Sequence, residues 1–335
     1  MNAMKILWPL SLVALLSLVA VLGAQVPALA PLFLVAVPYA AVALLLGGIV
    51  WRVVSWARSP VPFRIPTTCG QQRSLPWIRS ARFDNPSTGA GAAVRVFLEV
   101  VAFRSLFRNT RADLKPGGRI VYGSDKLLWA GALAFHASLL AILLRHARFL
   151  FEPVPAFVSA IQSVDGFLSV GVPGLYASDV VFVAAASYLL GRRLLDPRLR
   201  YLSLPADFLP LFLLLGIAAS GLLLRHGVRS DLVSLKAFVL SLLEFRPRIP
   251  AAVAPLVALH LLLVSSLAAL LPFSKLMHLA APFLSPTRNL PNDSRARRHV
   301  NPWNPEVKVH TYAEWEDDFR DKLKAAGLPL EKESP

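Results

Sequence analysis

A chain of 335 residues with 55% hydrophobic side chains and a mean hydropathy of +0.55 is too apolar for an ordinary soluble domain and reads as an integral membrane protein. Its net charge of +15 is carried between long apolar runs, where basic residues mark cytoplasmic loops, so nucleic-acid binding is set aside. The one cysteine, Cys69, excludes an internal disulfide, a CxxCH attachment for a c-type haem and an iron–sulfur cluster held by this chain's own cysteines, so any redox centre must rest on histidine.

The predicted fold class is all-α, a polytopic membrane helical bundle. Six spans can be drawn at about 5–24, 31–54, 127–151, 176–195, 206–226 and 251–273, each near the roughly 20 residues that a bilayer needs. Residues 5–24 have the length of a signal sequence, but Pro31 would follow the cleavage site after Ala30, and Lys5 is the only charge in front, so an uncleaved first span is expected. A tight turn at 25–30 makes residues 1–55 a two-span hairpin. Residues 56–126 form a basic loop with Pro, Gly and Ser clusters at 79–91 and 115–118. Within it, Ala92 to Leu106 reads as an amphipathic helix with Arg95, Glu99 and Arg104 on one side, a candidate for the membrane surface or for a soluble partner.

Residues 127–284 make a four-span core. Inside it, Asp231 to Phe245 is apolar over too short a length to cross a bilayer and is expected to be interfacial or re-entrant. Residues 285–335 are polar, rich in Pro and Asn, and end in the helix-like TYAEWEDDFRDKLKAAGL. The aromatic residues Trp303, Tyr312, Trp315 and Phe319 suit a tail that docks on a partner rather than a solvated extension.

With an even number of spans both termini share a side. Of the 35 basic residues, 28 fall on that side, against Arg145, Arg148, Arg225, Arg229, Lys236, Arg246 and Arg248 on the other, so both termini are expected in the cytoplasm.

Histidine is the unusual element. His136 and His146 lie ten residues apart on one span, and His260 and His278 lie 18 apart at the last span and its end. A buried polar group without a partner is penalised by roughly 1–3 kcal/mol, so histidines in such apolar runs ask for something to bind. Two histidines on each of two antiparallel spans suffice to clamp two haem irons, pairing His136 with His278 and His146 with His260. On ideal helices the spacings rise about 15 Å and about 27 Å, and Pro272 is the expected kink that absorbs the mismatch. His226 follows Arg225 at the end of the fifth span, and is either an interfacial residue or a participant in quinone proton transfer. His299 and His310 belong to the tail and are expected to be solvated.

With these residues placed, FHASLLAILLRH, GRRLLDPRLR with Asp207 soon after, and LHLLLVSSLAALLPFSKLMH resemble the gamma subunit of respiratory nitrate reductase, over roughly residues 125–290. The resemblance implies a di-haem cytochrome b, with His136, His146, His260 and His278 as ligands of two haem b groups. The added first span, longer loop and tail are more similar to the cytochrome b subunit, DsrM, of the sulfite-reduction-associated DsrMKJOP complex. That resemblance implies menaquinone as exchangeable redox partner, a DsrK-like iron–sulfur subunit on the cytoplasmic side, a periplasmic DsrJ-like multihaem cytochrome c, and DsrO-like and DsrP-like subunits. It further implies a bacterial or archaeal cytoplasmic membrane.

One departure stands out. The nitrate reductase subunit has a quinol-contacting lysine after its first histidine pair, whereas residues 149–191 here hold no Lys or Arg. Candidates for a differently built quinone site are Arg145, Arg148, Arg225, His226, Asp231 and Lys236, each with an alternative as a membrane-rim anchor.

The expected function is electron transfer between menaquinol and a cytoplasmic iron–sulfur subunit through two stacked haems. The rivals are a haem-free transporter or anchor, and a haem subunit fed by a periplasmic cytochrome with no quinone site of its own.

Overall fold

Backbone N–H and C=O groups in hydrocarbon have no water to bond, so long apolar runs are stable only where each residue satisfies its own neighbours in a helix. The computed structural model describes residues 4–59, 70–108, 110–166, 174–250, 255–293 and 309–331; Cys69, His299 and Trp303 lie outside them. Helix α1 (Met4–Ala24) turns through a short 3-10 segment (Pro27–Leu29) and a π-helical turn (Leu32–Ala36) into α2 (Val37–Ala57). After the basic stretch come α3 (Gly89–Ala102) and α4 (Arg104–Arg108), then a hairpin of β1 (Thr110–Leu114) and β2 (Ile120–Ser124) paired antiparallel with Leu114 opposite Ile120.

The core follows as α5 (Lys126–His146), α6 (Ala156–Asp165), α7 (Ala177–Leu195), α8 (Pro197–Leu202), α9 (Pro205–Leu222), α10 (Leu232–Leu243) and α11 (Pro255–Leu270). Short helices α12 (Ala281–Leu284) and α13 (Pro286–Asn289) lead toward the tail helix α14 (Tyr312–Ala325).

Five segments among the described residues are long and apolar enough to cross a membrane: Met4–Ala24, Pro27–Ala57, Lys126–Phe149, Pro205–Gly227 and Pro255–Phe273. The sixth expected span, 176–195, is a helix of 19 residues, but Asp179, Arg192 and Arg193 leave its apolar stretch short of the others. It nevertheless packs between α5 and α9 as a member of the bundle. The chain is an all-α integral membrane protein, and the hairpin of β1 and β2 is the one feature outside that class among the described residues. Its turn was visible as the Pro and Gly cluster at 115–118, where Gly117 and Gly118 take φ of +85° and +76°.

Lipid tails are as apolar as leucine, so helices associate through close packing rather than through apolar burial from water. Ala20, Ala186 and Ala258 are fully buried at helix crossings. Ala20 of α1 shares a cluster with Phe33, Phe238 and Ala258, which ties the first helix and α10 into the bundle. α10 is a short helix packed on the bundle, and Tyr39 Oη donates to its Leu242 carbonyl at 2.8 Å. Gly48 marks the closest approach of α2 to the end of the last span: a Cβ there would lie 2.6 Å from Pro272 Cβ.

The stretch 92–106 is two helices, because Phe103 takes a left-handed conformation (φ 50°) between α3 and α4. Its polar side does not face solvent. Arg95 is 1% exposed and donates to the carbonyls of Asp84, Thr287, Arg288 and Leu290 at 2.8–3.2 Å. Arg288 returns a bond to Glu99 at 3.0 Å, and Asn292 bonds Asn85 at 2.7 Å. The segment beyond the last span is thus knotted to the loop before α5, while the apolar side of α3, with Val94, Phe97 and Val101, is left exposed.

Candidate cofactor site

Asp125 caps α5 by accepting from Leu128 N at 3.1 Å and pairs with Arg192 of α7 at 2.6 Å, which sets the register of the helix that carries His136 and His146. Each of these histidines bonds the carbonyl one turn back: Nδ1 lies 2.8 Å from Ala132 O for His136 and 2.8 Å from Ile142 O for His146. A carbonyl only accepts, so Nδ1 carries the hydrogen in both rings and Nε2 keeps its lone pair.

The last span is not one helix to His278. α11 ends at Leu270, passes into a 3-10 turn at Leu271–Phe273 around the buried Pro272, and is broken by Ser274, whose backbone is extended. Ser274 Oγ then caps a second 3-10 turn, Lys275–Leu279, by accepting from Leu276 N at 3.2 Å. The spacing of 18 is therefore not five uninterrupted turns, and the change of direction relieves the mismatch with the spacing of ten. Lys275 anchors this turn through Asp207 at the start of α9, at 2.7 Å, and its carbonyl accepts from His278 Nδ1 at 2.9 Å.

The break brings His278 to His136, with ring centres 6.0 Å apart and planes at 90°. Imidazole–metal bonds of about 2 Å on either side of one metal call for ring centres roughly 6 Å apart. Phe103 and Phe135 stand edge-on to His136, both at 5.0 Å, and fix its ring from two sides.

At the other end, His260 Nδ1 lies 2.9 Å from Ser220 Oγ, and Ser220 itself donates to Ile217 O at 3.0 Å. With its hydrogen committed, the hydroxyl accepts from His260, which again leaves Nε2 free. His146 is the last residue of α5, and His260 lies in the second turn of α11. A Cβ at Gly221 would lie 3.3 Å from His260 Cε1, so α9 presses its backbone against this ring.

The arrangement fits metal-bound histidines: all four Nδ1 atoms are engaged with oxygen acceptors and no Nε2 of the four makes a hydrogen bond among the described residues. The helix packing agrees. α5 packs on α7, α7 on α9 and α9 on α11, while α5 and α11, the helices that carry the histidines, are not packed along each other. A flat group between them has room that a tight helix pair would deny.

The other sequence candidates separate into engaged and unengaged groups. Arg145 is buried in an ion cluster with Asp165 and Asp179, donates to Ser178 Oγ at 3.0 Å, and lies 3.9 Å over the Tyr176 ring. Arg148 bonds Gln162 at 2.8 Å, Lys236 pairs with Glu152, and Asp231 caps α10 at Val233 N, 2.9 Å. Arg225 covers the other approach to Tyr176 at 4.4 Å and donates to Gly174 O at 3.1 Å. His226 differs, because its Nε2 is buried with no hydrogen-bond partner among the described residues. His310 is exposed. Sequence reasoning missed Ser220, Asp179 and Tyr176; a serine two residues from the end of the apolar helix α9 and an aspartate in the first turn of α7 were the available signals.

A family model for the nitrate reductase gamma subunit matches residues 93–290. The chain belongs to that family. The match runs from α3 to the segment that Arg95 holds, so it takes in Arg95 and its partners at 287–290 as well as the histidine helices. A protein of Archaeoglobus fulgidus named Hdr-like menaquinol oxidoreductase cytochrome b-like subunit is 45% identical over 281 residues, which is 82% of this chain and 84% of that protein. A protein of the same name from Archaeoglobus profundus is 44% identical over 281 residues, 82% of this chain and 83% of the relative.

Proposed function

We propose that this family member is the di-haem cytochrome b subunit of a quinone-linked membrane oxidoreductase complex. The observation that carries the reading is the histidine geometry: two rings at 6.0 Å in one pair, and every Nδ1 committed so that every Nε2 is free to bind metal. In this reading His136 with His278 and His146 with His260 hold the two haems. A haem ligated by two histidines supplies a one-electron carrier. The protein's part is positional: backbone carbonyls and Ser220 orient the rings, α7 and α9 hold the histidine helices apart, and Phe103 and Phe135 shield one end.

Menaquinol is the favoured electron donor because two relatives bear that name, and their oxidoreductase names support a multi-subunit setting. We infer an iron–sulfur partner of the DsrK-like class against the basic loop and α14, whose Tyr312, Trp315 and Phe319 form an exposed aromatic ridge. The distribution of basic residues favours both termini on the cytoplasmic side. A role in dissimilatory sulfur metabolism, with DsrJ-like, DsrO-like and DsrP-like subunits, is the finer form of the proposal and rests on the added first span, long loop and tail.

The test is an absorption spectrum of the detergent-solubilised chain, oxidised and dithionite-reduced, with haem counted per chain and each of the four histidines changed to alanine. Two haems, each lost in the proposed pairs, are expected. A colourless preparation from haem-competent cells refutes the reading.

A further inference from the structure

The end of α9 carries polar atoms that no part of the bundle uses. The helix passes into a π-helical turn, Leu223–Gly227, a distortion frequent at functional sites. It closes with Arg229 in the left-handed region at φ 51° and Ser230 N bonded to Leu224 O at 3.1 Å. A non-glycine residue at such a φ is strained, and strain of this kind persists where the surroundings impose it. On this turn and just beyond it, four residues apart, His226 Nε2 and Ser230 Oγ are both buried and both without a hydrogen-bond partner among the described residues. Leaving such groups unpaired is unfavourable, so two this close together point to a bound molecule that supplies the partners.

The surroundings define the class of that molecule. Leu223, Val228, Leu232 and Val233 are exposed beside the turn and make an apolar rim open to lipid. Arg225 holds one edge, fixed by Gly174 O and Tyr176 and with no carboxylate partner among the described residues. An apolar body with a few polar atoms at its edge is what an apolar rim around two hydrogen-bonding groups accepts. The turn also lies close to the His260 pair: a Cβ at Gly221 would lie 3.3 Å from His260 Cε1, and His226 follows five residues later, a rise of about 7.5 Å.

We propose that His226 Nε2 and Ser230 Oγ form a binding subsite for the head-group oxygen of a quinone that enters over this rim. The inference rests on the quinone-linked reading above and adds to it the side chains that receive the ring. It also replaces the wider set of candidates, since Arg145, Arg148, Asp231 and Lys236 are already engaged with partners of their own.

The experiment uses the full-length chain in detergent and 2-methyl-1,4-naphthoquinone labelled with carbon-13 at its carbonyls. Affinity is measured by equilibrium dialysis, and the carbonyl band by infrared difference spectroscopy. The wild type is expected to bind with a carbonyl band shifted to lower wavenumber. His226→Ala loses the shift and binds about tenfold more weakly, the effect of one hydrogen bond to a buried group. His226→Gln, which keeps a hydrogen-bonding group, recovers part of both, and Ser230→Ala gives a smaller loss without depending on how His226→Ala folds. If the wild type, His226→Ala and Ser230→Ala bind alike with the same band, the subsite is overturned, the orphaned atoms hold water, and the quinone reading stands. If the wild type binds no quinone, both are overturned.

Discussion

Changing Gly48 to alanine tests whether the break in the last span is held from outside by α2. The added Cβ would lie 2.6 Å from Pro272 Cβ, 2.8 Å from Pro272 Cγ and 3.1 Å from Phe273 Cζ. Carbon atoms in contact sit about 3.5–4.0 Å apart, so α2 and the Pro272 turn must separate by roughly 1 Å. A proline ring on a 3-10 turn has no rotamer to yield, and overpacking of this kind costs about 1–3 kcal/mol. Gly47 is the matched control, since a Cβ there meets nothing within 4 Å. Both substitutions share the gain of up to about 1 kcal/mol from replacing glycine in a helix, so their difference isolates the clash. Thermal unfolding of the two variants in the same detergent, followed by circular dichroism, is expected to place Gly48→Ala several degrees below Gly47→Ala. Because Pro272 lies six residues before His278, Gly48→Ala is also expected to perturb the absorption of the haem assigned to His136 and His278 and to spare the other. Equal melting temperatures with identical spectra would refute the claim that α2 braces the turn.

Further outcomes follow from the same geometry. Ser220→Ala removes the acceptor for His260 Nδ1–H; loss of such an outer partner typically weakens metal binding 10–100-fold, so haem titration should show one site weakened and the His136 pair unchanged. Arg95→Met strips the carbonyls of Asp84, Thr287, Arg288 and Leu290 of a buried donor, each worth about 1–3 kcal/mol if left unpaired. Limited proteolysis should then cut near residues 284–292, where the wild type resists. Asp231 is held below the usual carboxylate range by the Ser234 hydroxyl and the Val233 amide. A depressed carboxylate contributes its cap fully above its unfolded value of about 3.9 and loses it as the pH falls through the lower folded value. Amide shifts of Val233 and Ser234 should therefore hold steady from pH 7 to pH 5 and move only below about pH 4, and Asp231→Asn should abolish that transition.

The helical membrane architecture was legible because hydropathy and span length depend on local composition, and the four histidines stood out because imidazole is rare in such runs. The path from α11 to His278 was only half legible: Pro272 announced a break, but the extended Ser274 and the anchor from Lys275 depend on Asp207, 68 residues upstream. The amphipathic reading of α3 located the helix but not what its polar side binds. A stripe with Arg95 and Glu99 looks solvated until the carbonyls at 287–290, nearly 200 residues later, are seen to cover it. Long-range hydrogen bonding of this kind leaves no local period to read. Asp179 and Ser220 were passed over for the same reason, being ordinary residues until their partners Arg145 and His260 are in place.

The Arg95 knot has a consequence for assembly. A ribosome delivers Arg95 before any of the four histidines and its partners at 287–290 after all of them. The knot can therefore tie only when both histidine helices have been made, and a chain stopped short of residue 287 leaves that guanidinium with the Asp84 carbonyl alone of the four that it bonds. Chain order alone turns one arginine into a checkpoint on completeness: the bundle end beside His136 and His278 stays unlatched for as long as the histidine-bearing helices are still being made.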